Sequence, residues 1–322
     1  MNKDYDILCI GLIVADLLVK PVSSKVFAVD TTLVDQIDLT NGGDALNESI
    51  ILSRLGNKVG LAGKVGCDAF GDMLVKTALK NNINVDNIKI DSNSRTGMCI
   101  VLVNENGDRN FVVQRGANAT LSVNDIDLSI IKHAKIVNIG SVLSLKLLDK
   151  DGVVAIFKEA RLNNVMTTAD ITHDSYKIGF SGIKEMLAYT DIAFPSYGDA
   201  AYLTNETEPE KIADVFLNAG VQTIVIKLGE KGCYIKSLKE SYLIDSYKTE
   251  VLDTTGAGDN FVAGFLTGVL KGWDLKKCGI FANAVGALCV QKVGATASVQ
   301  SLDQVLDYIN SFNATKECLI CR

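Results

Sequence analysis

The chain reads as an α/β protein: a mostly parallel central sheet, helices on both of its faces, and a small β-sheet lid. Three observations predict this. Short Ile/Val-rich runs alternate with segments of helical period across glycine or polar turns, the pattern of βα units. Only Pro21, Pro195 and Pro209 interrupt 322 residues, with no Pro/Ser-rich linker and no internal repeat, so residues 1–322 are expected to form one unit. Two segments, about 17–39 and 97–113, break the βα rhythm; strands inserted there cannot easily join a parallel sheet and are expected to project from it as the lid.

The elements follow in order. Residues 7–10 form a short apolar strand that Gly11 ends, too short for a leader's apolar region or a membrane span. Residues 45–55 place Leu46, Ile50, Leu52 and Leu55 at helical spacing, and Gly56 closes that helix. Glycines punctuate residues 63–71 as a strand-to-helix connection, where packing explains them, and a second helix runs over 71–81. Residues 98–103 and 110–113 flank Asn104-Glu105-Asn106-Gly107, and Asn106-Gly107 marks a hairpin. Runs at 136–139, 191–194 and 223–226 read as further buried strands.

Composition limits the functions available. With 48% hydrophobic and 22% charged residues, a chain of this length has ample material for a core, which excludes disorder. A net charge of -6 without a Lys/Arg stripe argues against nucleic acid as a partner, but not against a small phosphorylated ligand held by backbone N–H groups. The expected protein is cytoplasmic, with no membrane partner. Of eight cysteines, Cys9, Cys99, Cys233 and Cys289 lie in apolar runs and read as small hydrophobes, and Cys318 and Cys321 as an incidental pair.

The strongest chemical signal is Asp253-Thr254-Thr255-Gly256-Ala257-Gly258-Asp259, leading into an apolar helix. Small residues let successive N–H groups converge on an anion, and the helix start adds partial positive charge. Asp259 beside such a site is repulsive unless it has a task such as accepting a proton. An isolated Gly-x-Gly is more often a tight turn with Asp as a cap, so context decides. A second cluster, Asn41-Gly42-Gly43-Asp44-Ala45-Leu46-Asn47, allows close backbone approach to a ligand, with Asn47 as donor and acceptor; capping explains Asp44 equally well. Asp16 lies near the carboxyl end of the first strand, where open α/β sheets bind ligands.

In order and spacing, these two clusters and the block at 63–71 resemble the signatures of the ribokinase-like carbohydrate kinases, the PfkB family, over essentially the whole chain. The resemblance implies a ribokinase-like three-layer sandwich and ATP-dependent phosphorylation of a sugar hydroxyl, most simply a primary hydroxyl of ribose, fructose or a related carbohydrate. It implies Asp259 as general base and Gly256, Ala257 and Gly258 as the anion hole. It further implies Asp16, Gly42, Gly43 and Asn47 as substrate contacts, Ser196, Lys227, Gly229 and Gly232 as contacts to ATP, and Asn283 near the adenine. For Mg²⁺ the family's Asn-x-x-Glu becomes Ser196-Tyr197-Gly198-Asp199 here, shorter at the acid and changed at the amide. A monovalent cation such as K⁺ would fall among Asp253, Thr255, Cys289, Lys292, Gly294 and Ser298.

Alternatives stay open: a nucleoside kinase of the same fold, or a ligand sensor without turnover. A Rossmann dehydrogenase is disfavoured because no G-x-G-x-x-G follows the first strand. Lid strands pairing across a two-fold axis would make a homodimer. His133 and His173 read as surface or supporting groups, Trp273 as packing, and Arg109, in the Gly107-Asp108-Arg109 turn of the lid, as a solvated charge rather than one that reaches a substrate or phosphate.

Overall fold

The computed structural model describes residues 3–105 and 109–320, with side chains omitted at Lys150 and 313–320. The expected turn at Asn106-Gly107, and the Cys318/Cys321 pair, lie outside what is described.

The chain opens with β1 (Tyr5–Ile10), β2 (Val14–Lys20), β3 (Gln36–Gly42), α1 (Asp44–Arg54), β4 (Val59–Gly66), α2 (Ala69–Lys80) and β5 (Asn84–Asp91). It continues through β6 (Gly97–Val103), β7 (Arg109–Gln114), β8 (Ala134–Val142), α3 (Val153–Leu162), β9 (Met166–Ile171), α4 (Gly179–Leu187) and β10 (Ile192–Ala193). It ends with α5 (Tyr197–Thr204), α6 (Pro209–Asn218), β11 (Thr223–Lys227), β12 (Cys233–Ser237), β13 (Ser241–Ile244), α7 (Ala257–Leu270), α8 (Leu275–Cys289) and α9 (Leu302–Ile320).

Among the described residues nine strands form the central sheet in the order β13-β12-β11-β10-β9-β8-β1-β4-β5. All neighbours run parallel except the β11-β12-β13 meander at one edge. Side chains alternate across the sheet. On β1, Ile7 and Cys9 pack with α1, α2, α7, α8 and α9, whereas Leu8 and Ile10 pack with α3 to α6. The result is the predicted three-layer α/β sandwich.

The lid is a separate four-stranded sheet, β3-β2-β6-β7. Its β2–β6 pair is parallel and its outer pairs antiparallel. It is wider than the 17–39 and 97–113 expected, because Val14 and Ala15, buried where lid meets core, already pair with Gly97 and Met98. The strand expected at 191–194 shortens to β10: Pro195 brings no N–H to a ladder, and Ser196 turns the chain into α5 by accepting the Asp199 N–H.

Candidate active site

The strand order reverses between β8 and β1, so the connections leaving their carboxyl ends part there and open a crevice. Gly43 turns the chain into α1 at φ 86° with no side-chain cap. Asp44 is therefore not the cap that its position allowed; its carboxylate accepts the Ser141 hydroxyl of β8 at 2.6 Å. Gly42 is required by close approach, since a Cβ there would overlap the Asp16 carboxylate. Asp16, on β2, thus lies against the start of α1. Burial, and then the charge of Asp44, push its pKa up to about 7.

The second wall is the start of α7. Gly256 has φ +74°, and a Cβ there would stand 2.6 Å from the Ala295 Cβ, so a side chain is excluded on both counts. Asn260 donates to the carbonyls of Gly256 and Ala295, both at 2.7 Å, holding this turn against the 293–298 loop. Asp259 follows in the first helical turn. A relay of polar side chains joins the walls: Thr296 donates to Asn41, Asn41 to Asn47 at 2.8 Å, and Asn47 to Asp259 Oδ2 at 2.8 Å. Burial and the like charge of Asp44 push Asp259 up to about 8, against the Asn47 hydrogen bond.

Beneath this junction lies an ion pair that the motifs did not announce. Lys227 Nζ, beside Gly258, donates to Asp170 at 2.6 Å, and Asp170 is almost fully buried at the end of β9. Burial raises Asp170 to about 6 despite the lysine. Burial, the largest single influence, lowers Lys227, but the charge and hydrogen bond of Asp170 with the charges of Asp259 and Glu48 together outweigh it, and the net shift is upward. Glu48 on α1 accepts from Asn138 at 2.6 Å and is raised well above the usual carboxylate range by burial, then by Asp170 and Asp259. Neither was read from the sequence: a polar residue at a strand's carboxyl end is the signal that could have found Asp170, and Glu48 gave none.

Lys227, Gly229, Gly232, Gly258 and Asn283 line a cleft of about 1300 Å³ that Tyr247 and Phe312 also flank. Asn283 donates to the carbonyls of Ile244 and Asp245 at 3.2 Å, fixing the chain as it leaves β13. Ser196 and Asp199 stand together, the hydroxyl donating to Asp199 Oδ2 at 2.6 Å, with His173 Nδ1 3.9 Å from the other oxygen. Mg²⁺ is commonly held by one or two carboxylates plus phosphates, so Asp199 fits that ion as a lone hard ligand. Among the described residues no group of three or more His, Cys, Asp or Glu could hold a metal.

The six monovalent-cation candidates also gather at one place. Asp253 accepts the N–H groups of Thr255 at 2.8 Å and Gly294 at 2.7 Å, and the Cys289 carbonyl accepts the Ser298 hydroxyl at 3.3 Å. Arg109 corrects the expectation of a solvated charge: its guanidinium reaches Asp253 at 2.7 Å and Thr255 Oγ1 at 2.6 Å. Trp273 packs edge-on against Phe281, as expected, and His133 pairs with Asp4 at the surface. Among the described residues no helix is long and apolar enough to cross a membrane.

Comparison with known proteins agrees with this architecture. The family model "pfkB family carbohydrate kinase" matches residues 4–302. An uncharacterized sugar kinase of Archaeoglobus fulgidus is 31% identical, over 76% of this chain and 96% of its own. A ribokinase of Schizosaccharomyces pombe is 29% identical, over 88% and 89%. The solved structure of Arabidopsis thaliana ribokinase, complexed with ribose and ATP, superposes at a TM-score of 0.80 with 24% identity, covering 96% of this chain and 99% of that one. With the glycine turn, the adjoining carboxylate and the cleft already in place, this chain belongs to the PfkB family of carbohydrate kinases, ATP-dependent phosphotransferases that phosphorylate a sugar.

Proposed function

We propose that the chain transfers the γ-phosphoryl group of ATP to a hydroxyl of a pentose or hexose such as ribose or fructose, with Asp259 as general base. One observation carries the reading. Asp259 is tied through Oδ2 to Asn47 on the Asp16/Gly42/Gly43 side, while the start of its own helix borders the cleft containing Lys227, Gly229, Gly232 and Asn283. A carboxylate between an acceptor site and a phosphate site is where a base is needed.

Asp16, Gly42, Gly43 and Asn47 position the sugar. Asp259 takes the hydroxyl proton as the acceptor oxygen bonds to the γ-phosphorus; the bond from that phosphorus to the β–γ bridging oxygen breaks, and its electron pair leaves with ADP. The N–H groups around Gly256, Ala257 and Gly258 face the charge that develops, and Lys227 and Ser196 lie where the nucleotide's phosphates pass. Asp199 would hold Mg²⁺, which would supply further charge neutralisation at the nucleotide's phosphates. Positioning and electrostatics do most of the work in phosphoryl transfer, and the base adds about 10²–10⁴ in rate.

The test is ADP release with ATP and Mg²⁺ across ribose, fructose, 2-keto-3-deoxygluconate, adenosine and other nucleosides. Turnover on a sugar is expected, with Asp259→Asn lowering kcat by at least about 10²-fold while the variant stays folded and still binds ligands. Unchanged kcat in Asp259→Asn overturns the base assignment; turnover on nucleosides alone moves the acceptor class; binding without turnover makes the protein a sensor. We also propose that residues 1–322 work as one unit and that two copies pair through their lids.

A further inference from the structure

We propose that Arg109 is the resident cation of this site: from the lid, its guanidinium takes the place of a monovalent metal ion between Asp253 and Thr255, so the lid itself completes the anion-hole loop. The inference rests on the reading of Gly256 to Gly258 as the phosphate-holding turn. Arg109 is a positioning residue in it, acting through Asp253 and Thr255.

The oxygens that a metal ion would need are already engaged. Asp253, 3% exposed, accepts Thr255 N–H and Arg109 Nη2 on Oδ1 and Gly294 N–H on Oδ2. The Thr255 carbonyl faces the Cys289 thiol at 3.4 Å, and the Cys289 carbonyl takes the Ser298 hydroxyl at 3.3 Å and the Lys292 N–H at 3.4 Å. Gly294 turns a donor, not an acceptor, toward the carboxylate. The six residues therefore do not fit a metal ion while Arg109 is in place. They fit a guanidinium, whose planar fork spans an acidic oxygen and a hydroxyl two residues apart. A buried carboxylate needs a counter-charge, and among the described residues Arg109 is the cation that pairs with Asp253.

The lid supplies this contact. Arg109 opens β7 opposite Val103 of β6, and β6 pairs along β2 with Cys99 beside Asp16. The strand that bears the sugar-side carboxylate and the strand that bears the guanidinium belong to one sheet.

The experiment compares the full-length protein with Arg109→Ala and Arg109→Lys in KCl, NaCl and tetramethylammonium chloride at equal ionic strength. Thermal stability is measured without nucleotide, and kcat and KM with the best substrate of the panel. Wild type is expected to show the same Tm and kcat in all three salts. Arg109→Ala should lose about 10-fold or more in kcat with little change in the sugar KM. It should also gain a K⁺-specific rise in Tm, and K⁺ or guanidinium ions should restore part of its kcat. Arg109→Lys, which keeps charge but not the fork, should fall between. A wild-type enzyme that needs K⁺ or is specifically stabilised by it overturns the proposal, as does an Arg109→Ala variant with wild-type kcat or without the K⁺-specific Tm gain. The stability measurement reads out without turnover, so failure of every panel compound would count against the kinase reading and leave this test standing.

Discussion

Asp259 is held by opposing influences, and its pH behaviour follows from them. Burial and the Asp44 charge raise it to about 8, while Asn47 and Lys227 favour its ionised form. As the proposed base Asp259 works deprotonated, so kcat/KM should climb as pH rises through about 8. Asp44→Asn removes a like charge but retains an oxygen to accept the Ser141 hydroxyl. The climb should then move down by about one pH unit, visible in the kcat/KM profile; an unmoved profile would show that burial alone sets the shift. Asp259, Asn47 and Gly256 could be singled out as candidates because each lies in a short glycine-containing run at a helix start, a pattern that is local in the sequence. The contacts of Arg109 were not legible, because its partners lie 146 positions along the chain at Thr255 and nearby at Asp253, and a lone arginine beside a turn carries no sign of them.

At the scale of elements, the lid leaves two unpaired edges, β3 and β7, within the described residues. Ile37, Leu39, Phe111 and Val113 are exposed along them, where open strands are a liability that pairing removes. Two copies joining lids would bury these residues, and sedimentation at micromolar concentration should give a dimer; Phe111→Lys should shift it toward monomer, and a wild-type monomer would remove the idea. The lid's existence was readable from two broken βα intervals, but its limits were not. Residues 12–15 follow Gly11 as an apolar run with no local mark of a lid strand, and the pairing of Val14 and Ala15 with Gly97 and Met98 shows where the second sheet begins. Similarly, 191–194 has a strand's composition, yet Pro195 and the Ser196 cap leave it two residues.

For the whole molecule, the buried acids set how stability varies with pH. Asp16 and Asp149 are raised to about 7, Asp170 to about 6 and Asp259 to about 8, chiefly by burial, and Glu48 is raised as well. Between about pH 4 and pH 8 the unfolded chain has lost these protons while the native state still binds them. Its stability therefore falls as pH rises. Asp6 and Asp68 act oppositely, lowered by hydrogen bonds that outweigh their burial, and their contribution is lost as pH falls below about 4. Without ligands, Tm should peak near pH 5 and decline by several degrees toward pH 8; calorimetry showing a rise over that interval would mean these carboxyls are ionised in the folded protein. The layered architecture was legible in the alternation of strands and helices, but the strand order was not, since periodicity does not say which strand lies beside β1.

That order has a consequence for biosynthesis. β1 leaves the ribosome before its partners, and its neighbour on one side, β4, follows within about sixty residues. Its other neighbour, β8, begins only at Ala134. Throughout that interval a strand whose Ile7, Leu8, Cys9 and Ile10 end fully buried presents an open hydrogen-bonding edge. The reversal that opens the crevice therefore also leaves the growing polypeptide with an open strand edge, a site for unwanted pairing, until β8 has been made.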